Sequence, residues 1–479
     1  MPSLEFTLDP ADLLRLAKWG SMRAGRSFPT TIDWHDTEDG ALAKTGRCLA
    51  NAGTLWRLAP LHPETAITVP PPQAEARSLA LLPGGMPPGI APSARFTGYR
   101  RALRWTEGQD DVALHVLDGR FDAPAQRRKP PEHCRITLNG PRAALPSLAI
   151  AIAHDMRLGV PRWGLAEQAL AAARGETPPP RALGAPQVAE GQPVTDSLAT
   201  IAGHLLDTML HWAHQVPAAR TPEPVHQMRV ATRRLRSALS IYKPVAACPD
   251  LAALAVTLKF CAARLGTARD WDVFIDGLGA QLAAAFPGDP RCTAMLRAAA
   301  RRRRNAYTEL RSFLAGPDFR TLTVALACAA TLRPWEDAVP GGESPPALQQ
   351  DTAHFAATVL AKRMKRVRQA GRGIETLPIP ALHELRKDCK RLRYAAEFFS
   401  SLFPTKKTKR FLQRLADLQE ELGLLNDSAA VSGLMAQLGR LERSYAAGLV
   451  EGFSAAHAGT ARERIEQAWK RFKATAPFW

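Results

Sequence analysis

Apolar positions fall into short strand-like runs mixed with helical ones through the first third of the chain, and recur at helical spacing almost everywhere after it. TIDWHDT, CLANAGTLWRLA, ARFTGYRRALRW, VALHVLDGRF and CRITLNG, between residues 31 and 140, read as strands bounded by turn residues. LPSLAIAIAHDM and LAEQALAAAR follow as helices, so residues 1–174 are expected to form an α+β domain. Residues 68–93, rich in Pro and Gly, read as a long irregular loop. The stretch GETPPPRALGAPQVAEGQPV (175–194) has no apolar period and reads as a linker, partly extended by its prolines. From 195 to 479 the pattern is helical, punctuated at TPEPV, KPVAACPD, FPGDP, PGGESPP and LPIPA.

The segment HQMRVATRRLRSALSIY begins at residue 226. At about 100° per residue, His226, Arg229, Arg233 and Arg236 share one stripe roughly 80° wide, with Arg234 towards its flank. Met228, Ala231, Leu235, Ala238, Leu239 and Tyr242 lie opposite. The segment HELRKDCKRLRYAAEFF repeats this order 157 residues later: His383, Arg386, Lys390 and Arg393 form the stripe, with Lys387 at its edge. LGTARDWD and LGLLNDSA, starting at Leu265 and Leu422, stand at the same offset, so Gly266 matches Gly423 and Asp270 matches Asp427. Two signatures at one spacing identify a tandem duplication of a helical bundle. Helices are expected over about 196–215, 225–242, 250–265 and 270–285, and again over 351–371, 381–402, 407–422 and 427–445. Others are expected near 291–315 and 460–474. The Leu-Gly pairs suit helix C-termini, with Thr267 or Asp270, and Asn426 or Asp427, capping the next helix.

Charge narrows the class of partner. The 479 residues carry a formal net charge of +18. Residues 195–479 hold 41 Lys and Arg against 26 Asp and Glu, and residues 1–194 only 22 against 19. A polyanion is therefore the expected partner of the C-terminal part. No uncharged apolar run approaches 18 residues and the N-terminus lacks a signal-peptide core, so no membrane partner and a cytoplasmic location are expected. The seven cysteines are widely spaced without a C-x-x-C pair, which fits reduced thiols and supplies no zinc site.

Arginine forks grip phosphate oxygens through paired N–H groups, whereas lysines act as mobile point charges. Few acids stand at i±4 within the stripes, and no aromatic side chain is read as interleaved with their basic residues. A histidine heading each stripe can donate to phosphate when protonated, or serve only to cap and pack the helix start. Neighbouring basic residues supplement the stripes: Lys259, Arg264 and Arg269, a run from Arg301 to Arg304, Lys362, Lys365, Arg366 and Arg372, and Lys406, Lys407, Lys409, Arg410 and Arg414.

These blocks resemble the conserved histidine α-helical domain (CHAD) family over roughly 195–479. The resemblance implies two pseudo-symmetric four-helix bundles, spanning about 195–315 and 351–479, with a basic surface that binds inorganic polyphosphate and can hold the protein on polyphosphate granules. By position, the contacts would come from His226, Arg229, Arg233, Arg236, His383, Arg386, Lys390 and Arg393. Lys259, Lys362, Lys365, Arg366, Lys407, Arg410 and Arg414 would add to them.

Residues 1–174 resemble, more distantly, the CYTH or triphosphate-tunnel family, through IDWHDTEDGALAKTGRCL and PEHCRITLNG. That family opens with E-x-E-x-K, whereas this chain reads LEFTLD and keeps only Glu5; Arg135 and Thr137 stand where acids are expected. A tunnel without clustered carboxylates cannot hold the divalent ion that orients a triphosphate. The expectation is thus a multidomain protein, divergent CYTH-like α+β then all-α, that binds polyphosphate without catalytic or metal-binding residues and without a cofactor. The alternatives are a triphosphatase or polyphosphatase acting through the N-terminal domain, and a protein that binds nucleic acid through charge.

Overall fold

A computed structural model describes the chain except residues 1, 63–66, 69–71, 83–85, 123–131, 179–182, 338–344, 425, 426, 440, 442 and 443; for 424, 427–430 and 454–461 it describes the backbone alone. The chain divides into two compact units, Met1–Leu183 with Ala315–Arg333, and Gly184–Leu314 with Pro334–Trp479.

The first unit is built on strands β1 (Ser3–Leu8), β2 (Met22–Asp36), β3 (Arg47–Ala52), β4 (Leu55–Pro60), β5 (Ala74–Ala76), β6 (Ala91–Glu107), β7 (Asp110–Phe121), β8 (His133–Asn139) and β9 (Leu158–Gly159). Helix α1 (Ala144–Asp155) precedes β9, and α2 (Leu165–Ala173) follows it. The strands form one antiparallel sheet in the order β5-β4-β3-β2-β6-β7-β8-β1-β9. Alternation sorts its two faces. Leu4, Phe6, Val112, Leu114, Val116, Ile136 and Leu138 point to one face and are fully buried; α1 packs against β7 there. On the other face, Trp34, Phe96 and Phe121 pack against Ala166, Ala169 and Leu170 of α2.

A helix the sequence reading left unassigned, Pro317–Leu332, lies along α1 and belongs to this unit, not to the C-terminal domain in whose span it falls. Arg320 donates to the carbonyls of Ala153 (3.1 Å) and His154 (3.4 Å). Arg142 reaches the carbonyls of Leu332 and Arg333.

The second unit is helical: α3 (Val194–Gln215), α4 (Glu223–Tyr242), α5 (Pro249–Phe274), α6 (Pro290–Ala315), α7 (Thr352–Ala370), α8 (Ile379–Phe398), α9 (Thr405–Leu424), α10 (Asp427–Ala436) and α11 (Tyr445–Lys473). Starting points of α3, α4, α5 and α6 recur in α7, α8, α9 and α11 within two residues of the 157-residue offset. Prolines read as punctuation stand in the first turns of α4, α5, α6 and α8, where a missing N–H breaks no hydrogen bond. The copies meet through Tyr242 and its counterpart Phe399, ring centroids 6.3 Å apart, with Phe355 packed on both. The Tyr242 hydroxyl keeps a partner in Ser197, at 2.8 Å.

Two expectations need correction here. No helix ends at Leu265–Gly266: α5 runs through it to Phe274 and continues over a π-turn, Ile275–Gly279, into Ala280–Ala285. Thr267 and Asp270 therefore cap nothing, while Asn426 and the Asp427 side chain lie outside the described residues. The continuous helix Pro249–Ala285 is also long and apolar enough, by length and composition, to cross a membrane. In this unit one face of it is core, burying Leu251, Leu254, Leu258, Leu265, Trp271 and Phe274 while Val256, Phe260 and Val273 stay exposed, and it carries the fully buried carboxylate of Asp272. Arg303 (2.7 Å) and Tyr307 (2.9 Å) of α6 donate to that carboxylate. None of the seven cysteines is paired.

Candidate functional site

The apolar back of α4 is buried: Met228, Leu235 and Tyr242 are fully enclosed. This fixes the rotation of the helix and so places His226, Arg229, Arg233 and Arg236 on its other side. Arg236 is exposed and the other three are half-buried.

Arg229 points across to α5. It donates to the Ala262 carbonyl at 3.5 Å and approaches Asp270 at 3.7 Å. The space for its guanidinium exists because residue 266 has no side chain: a Cβ there would lie 2.6 Å from Arg229 Nη1. In the second copy, a Cβ on Gly423 would lie 3.1 Å from Arg386 Nη2. Gly266 is thus a seat for Arg229 inside a continuing helix, whereas Gly423 stands in the last turn of α9, at the helix end the sequence predicts, with Arg386 against it. Alanine normally stabilises a helix interior by about 0.5–1 kcal/mol over glycine. Gly203→Ala in α3, where nothing lies within 4 Å, is expected to show that gain in thermal unfolding. Gly266→Ala should fall short of it by about 1 kcal/mol, because Arg229 must leave its contacts.

His226 sits beside Arg269 of α5. Burial, and then the nearby Arg269 charge, lower its pKa below the ordinary 6.5, so the ring is neutral at pH 7 in the free protein. The unfolded chain takes up this proton first, so the site loses stability as pH falls through 6.5. An anion bound beside the ring would reverse the balance by favouring the imidazolium. Polyanion affinity should therefore rise between pH 8 and 5.5, with proton uptake visible by calorimetry in buffers of different ionisation enthalpy. His226→Gln should reduce both effects.

The structure brings the two stripes together where α4 meets α8. Arg233 stands over the Tyr394 ring, 5.8 Å from its centroid. Arg234 donates to Glu397 at 2.6 Å, and Arg393 donates to the other oxygen of the same carboxylate at 2.8 Å. Tyr394 and Glu397 correct the sequence reading, which saw no aromatic side chain and few acids among the basic residues. They follow His383 by 11 and 14 positions, which puts Glu397 within the second stripe and Tyr394 at its edge, about 20° beyond His383. Their counterparts in the first copy are Ser237 and Ser240, so the difference between copies is spent on joining them.

The expected contacts now separate by what each touches. His226, Arg233, Arg236 and His383 make no salt bridge among the described residues, although Glu223 and Glu384 lie near the two histidines, whereas Arg229 and Arg393 each meet a carboxylate. Arg386 and Lys390 are both engaged in further interactions. Lys259, Lys362, Lys365, Arg366, Lys407 and Arg410 are exposed on α5, α7 and α9. Arg414 lies 3.7 Å from Asp417. Sequence reasoning also missed Arg363 of α7, which is half-buried. Burial, and then the charges of Arg391 and Arg366, press its pKa down to about 10 despite Asp388. Its position beside Lys362 and Lys365 is visible in the sequence, but its environment is not.

In the first unit, β1 and β8 are neighbours, with Glu5 opposite Thr137. Arg135, only 3% exposed, donates to Glu5 at 3.2 Å and, at 2.8 Å each, to the Trp163 carbonyl and the Gln168 side chain. A guanidinium thus occupies the place beside Glu5, and an apolar cluster with α2 fills the same face of the sheet. No metal-binding group of His, Cys, Asp or Glu occurs among the described residues.

Comparison with known proteins bears on both units. An uncharacterised protein of Mycobacterium tuberculosis, known from two strains, is 29% identical over 282 residues, 58% of this chain and 54% of its own length. The chain thus spans about half the length of the curated relatives it matches. The crystal structure of the CHAD domain from the plant Ricinus communis is similar with a TM-score of 0.54 at 25% identity, over 63% of this chain and 99% of that one. The strand-rich N-terminal unit is compatible with a CYTH-like domain. With a family model matched over its two stripes and most of its duplicated helices, this chain carries a CHAD domain at residues 200–436.

Proposed function

We propose that the protein binds inorganic polyphosphate on the basic surface where α4 and α8 meet, without catalysing a reaction, and is held through it on cytoplasmic polyphosphate granules. The observation that carries this reading is the meeting of the two duplicated stripes at Arg233, Tyr394 and the Arg234–Glu397–Arg393 bridge, with Arg233 and Arg236 in no ion pair among the described residues. Like charges held close together favour a ligand that neutralises several at once, and a polyphosphate chain supplies charge at every repeat. Against an N-terminal phosphohydrolase stands the buried Arg135, which meets Glu5 where a divalent cation would need acids.

A second reading, single-stranded nucleic acid, gains one specific support: the Tyr394 ring among the basic residues offers a platform for one base. The deciding experiment titrates the full chain with long-chain polyphosphate and with single-stranded RNA of equal charge, across salt. Tighter binding of polyphosphate at every salt concentration supports the first reading. Equal or tighter binding of RNA, with loss on Tyr394→Ala, supports the second.

A further inference from the structure

We propose that a cleft on α6, lined by Arg301, Arg302, Arg304 and Asn305 and walled by Leu438 and Leu441, binds an organic phosphate at a site separate from the two stripes. Its volume is about 450 Å³, and no residue of either stripe lines it. That is a size suited to a small ligand.

Three observations point the same way. Arg301, Arg302 and Arg304 are exposed, and none has an ion-pair partner among the described residues. Only Arg303 of this run turns inward, to Asp272, so only it serves the packing of the bundle. Arg297, Arg301 and Arg304, at i, i+4 and i+7, share one side of α6 and repel one another unless an anion lies between them.

The duplication supplies an internal reference. At the 157-residue offset, Arg301, Arg302 and Arg304 correspond to Ala458, Gly459 and Ala461 of α11. The same helix therefore forms in the second copy without these arginines, and the fold does not require them.

The leucines indicate the kind of anion. A bare phosphate chain would leave Leu438 and Leu441 unused, whereas an organic phosphate can place phosphoryl oxygens on the arginine forks and its apolar body on the leucine wall. A nucleoside triphosphate is a suitable probe, with inorganic tripolyphosphate as the reference of similar charge.

Binding of both would be measured at one ionic strength on the full chain carrying Arg233→Ala and Arg236→Ala, so that the stripes do not take up tripolyphosphate, and nucleotide binding would also be measured on the unaltered chain. The nucleotide is expected to bind at least about threefold more tightly than tripolyphosphate, and Leu441→Asn to abolish that preference. Arg301→Ala with Arg304→Ala should weaken nucleotide binding about tenfold, while Arg233→Ala with Arg236→Ala changes it less than about twofold. Helical circular dichroism checks folding. Arg301→Lys with Arg304→Lys, which keeps the charge and loses the forks, should show an intermediate loss. The proposal fails if the nucleotide does not bind, if tripolyphosphate binds equally well, or if the Arg233 and Arg236 changes abolish nucleotide binding.

Discussion

Alanine at both Arg233 and Arg236 is expected to lower polyphosphate affinity ten- to a hundredfold and to leave thermal stability almost unchanged. These two arginines occupy the stripe of the first copy without serving the fold: Arg236 is exposed, and Arg233 makes a contact with the Tyr394 ring but no ion pair among the described residues. Arg229 and Arg393, although in the same stripes, would be poorer choices, because each is tied to a carboxylate: losing Arg229 takes the ion-pair partner from Asp270, and losing Arg393 leaves Glu397 with Arg234 alone. Affinity measured across salt gives a second readout. Each lost phosphate contact should flatten the logarithmic salt dependence by roughly 0.7, the value for a flexible single-stranded polyanion. A loss of affinity with an unchanged slope would mean that the ligand does not touch these side chains. Unchanged affinity would remove the proposed site altogether.

Glu397→Gln is expected to move stability and affinity in opposite directions. The carboxylate accepts from Arg234 of the first copy and Arg393 of its own, and is largely shielded from water. Glutamine keeps one acceptor and turns an NH₂ group towards a guanidinium, so the junction between the copies should lose about 2–3 kcal/mol. The same change removes a negative charge from the basic surface and releases two arginines, which should tighten polyphosphate binding roughly three- to tenfold. Chemical denaturation and a binding titration on the same variant would show both effects. A fall in stability without a gain in affinity would place the ligand away from this junction.

The duplication was readable because His226, Arg229, Arg233 and Arg236 recur in unbroken register, and helix boundaries followed from apolar spacing and proline. Gly266 was misread because its reason lies in another helix: in one dimension a glycine before Thr-Ala-Arg-Asp resembles a cap, and only packing shows that it makes room for Arg229. Tyr394 and Glu397 lie inside the segment that carries the second stripe, but only the packing of α4 on α8 shows that they face Arg233 and Arg234. Strands β2, β6, β7 and β8 were legible from alternation, but CLANAGTLWRLA, read as one strand, folds as the hairpin β3–β4, and β1, β5 and β9 were not assigned. The Glu5–Arg135 pair was not, since it depends on β1 and β8 becoming neighbours across about 130 residues of chain.

The helix Pro317–Leu332 sets an order on events during synthesis. The first unit lacks this piece until residue 333 has been made, by which time the whole first helical copy has been synthesised. At ribosomal speed the interval between residues 183 and 333 lasts roughly ten to thirty seconds. Through that time α1 has no partner helix on the ribosome, and the nascent sheet must wait, half-clothed, for a segment encoded in the middle of its neighbour.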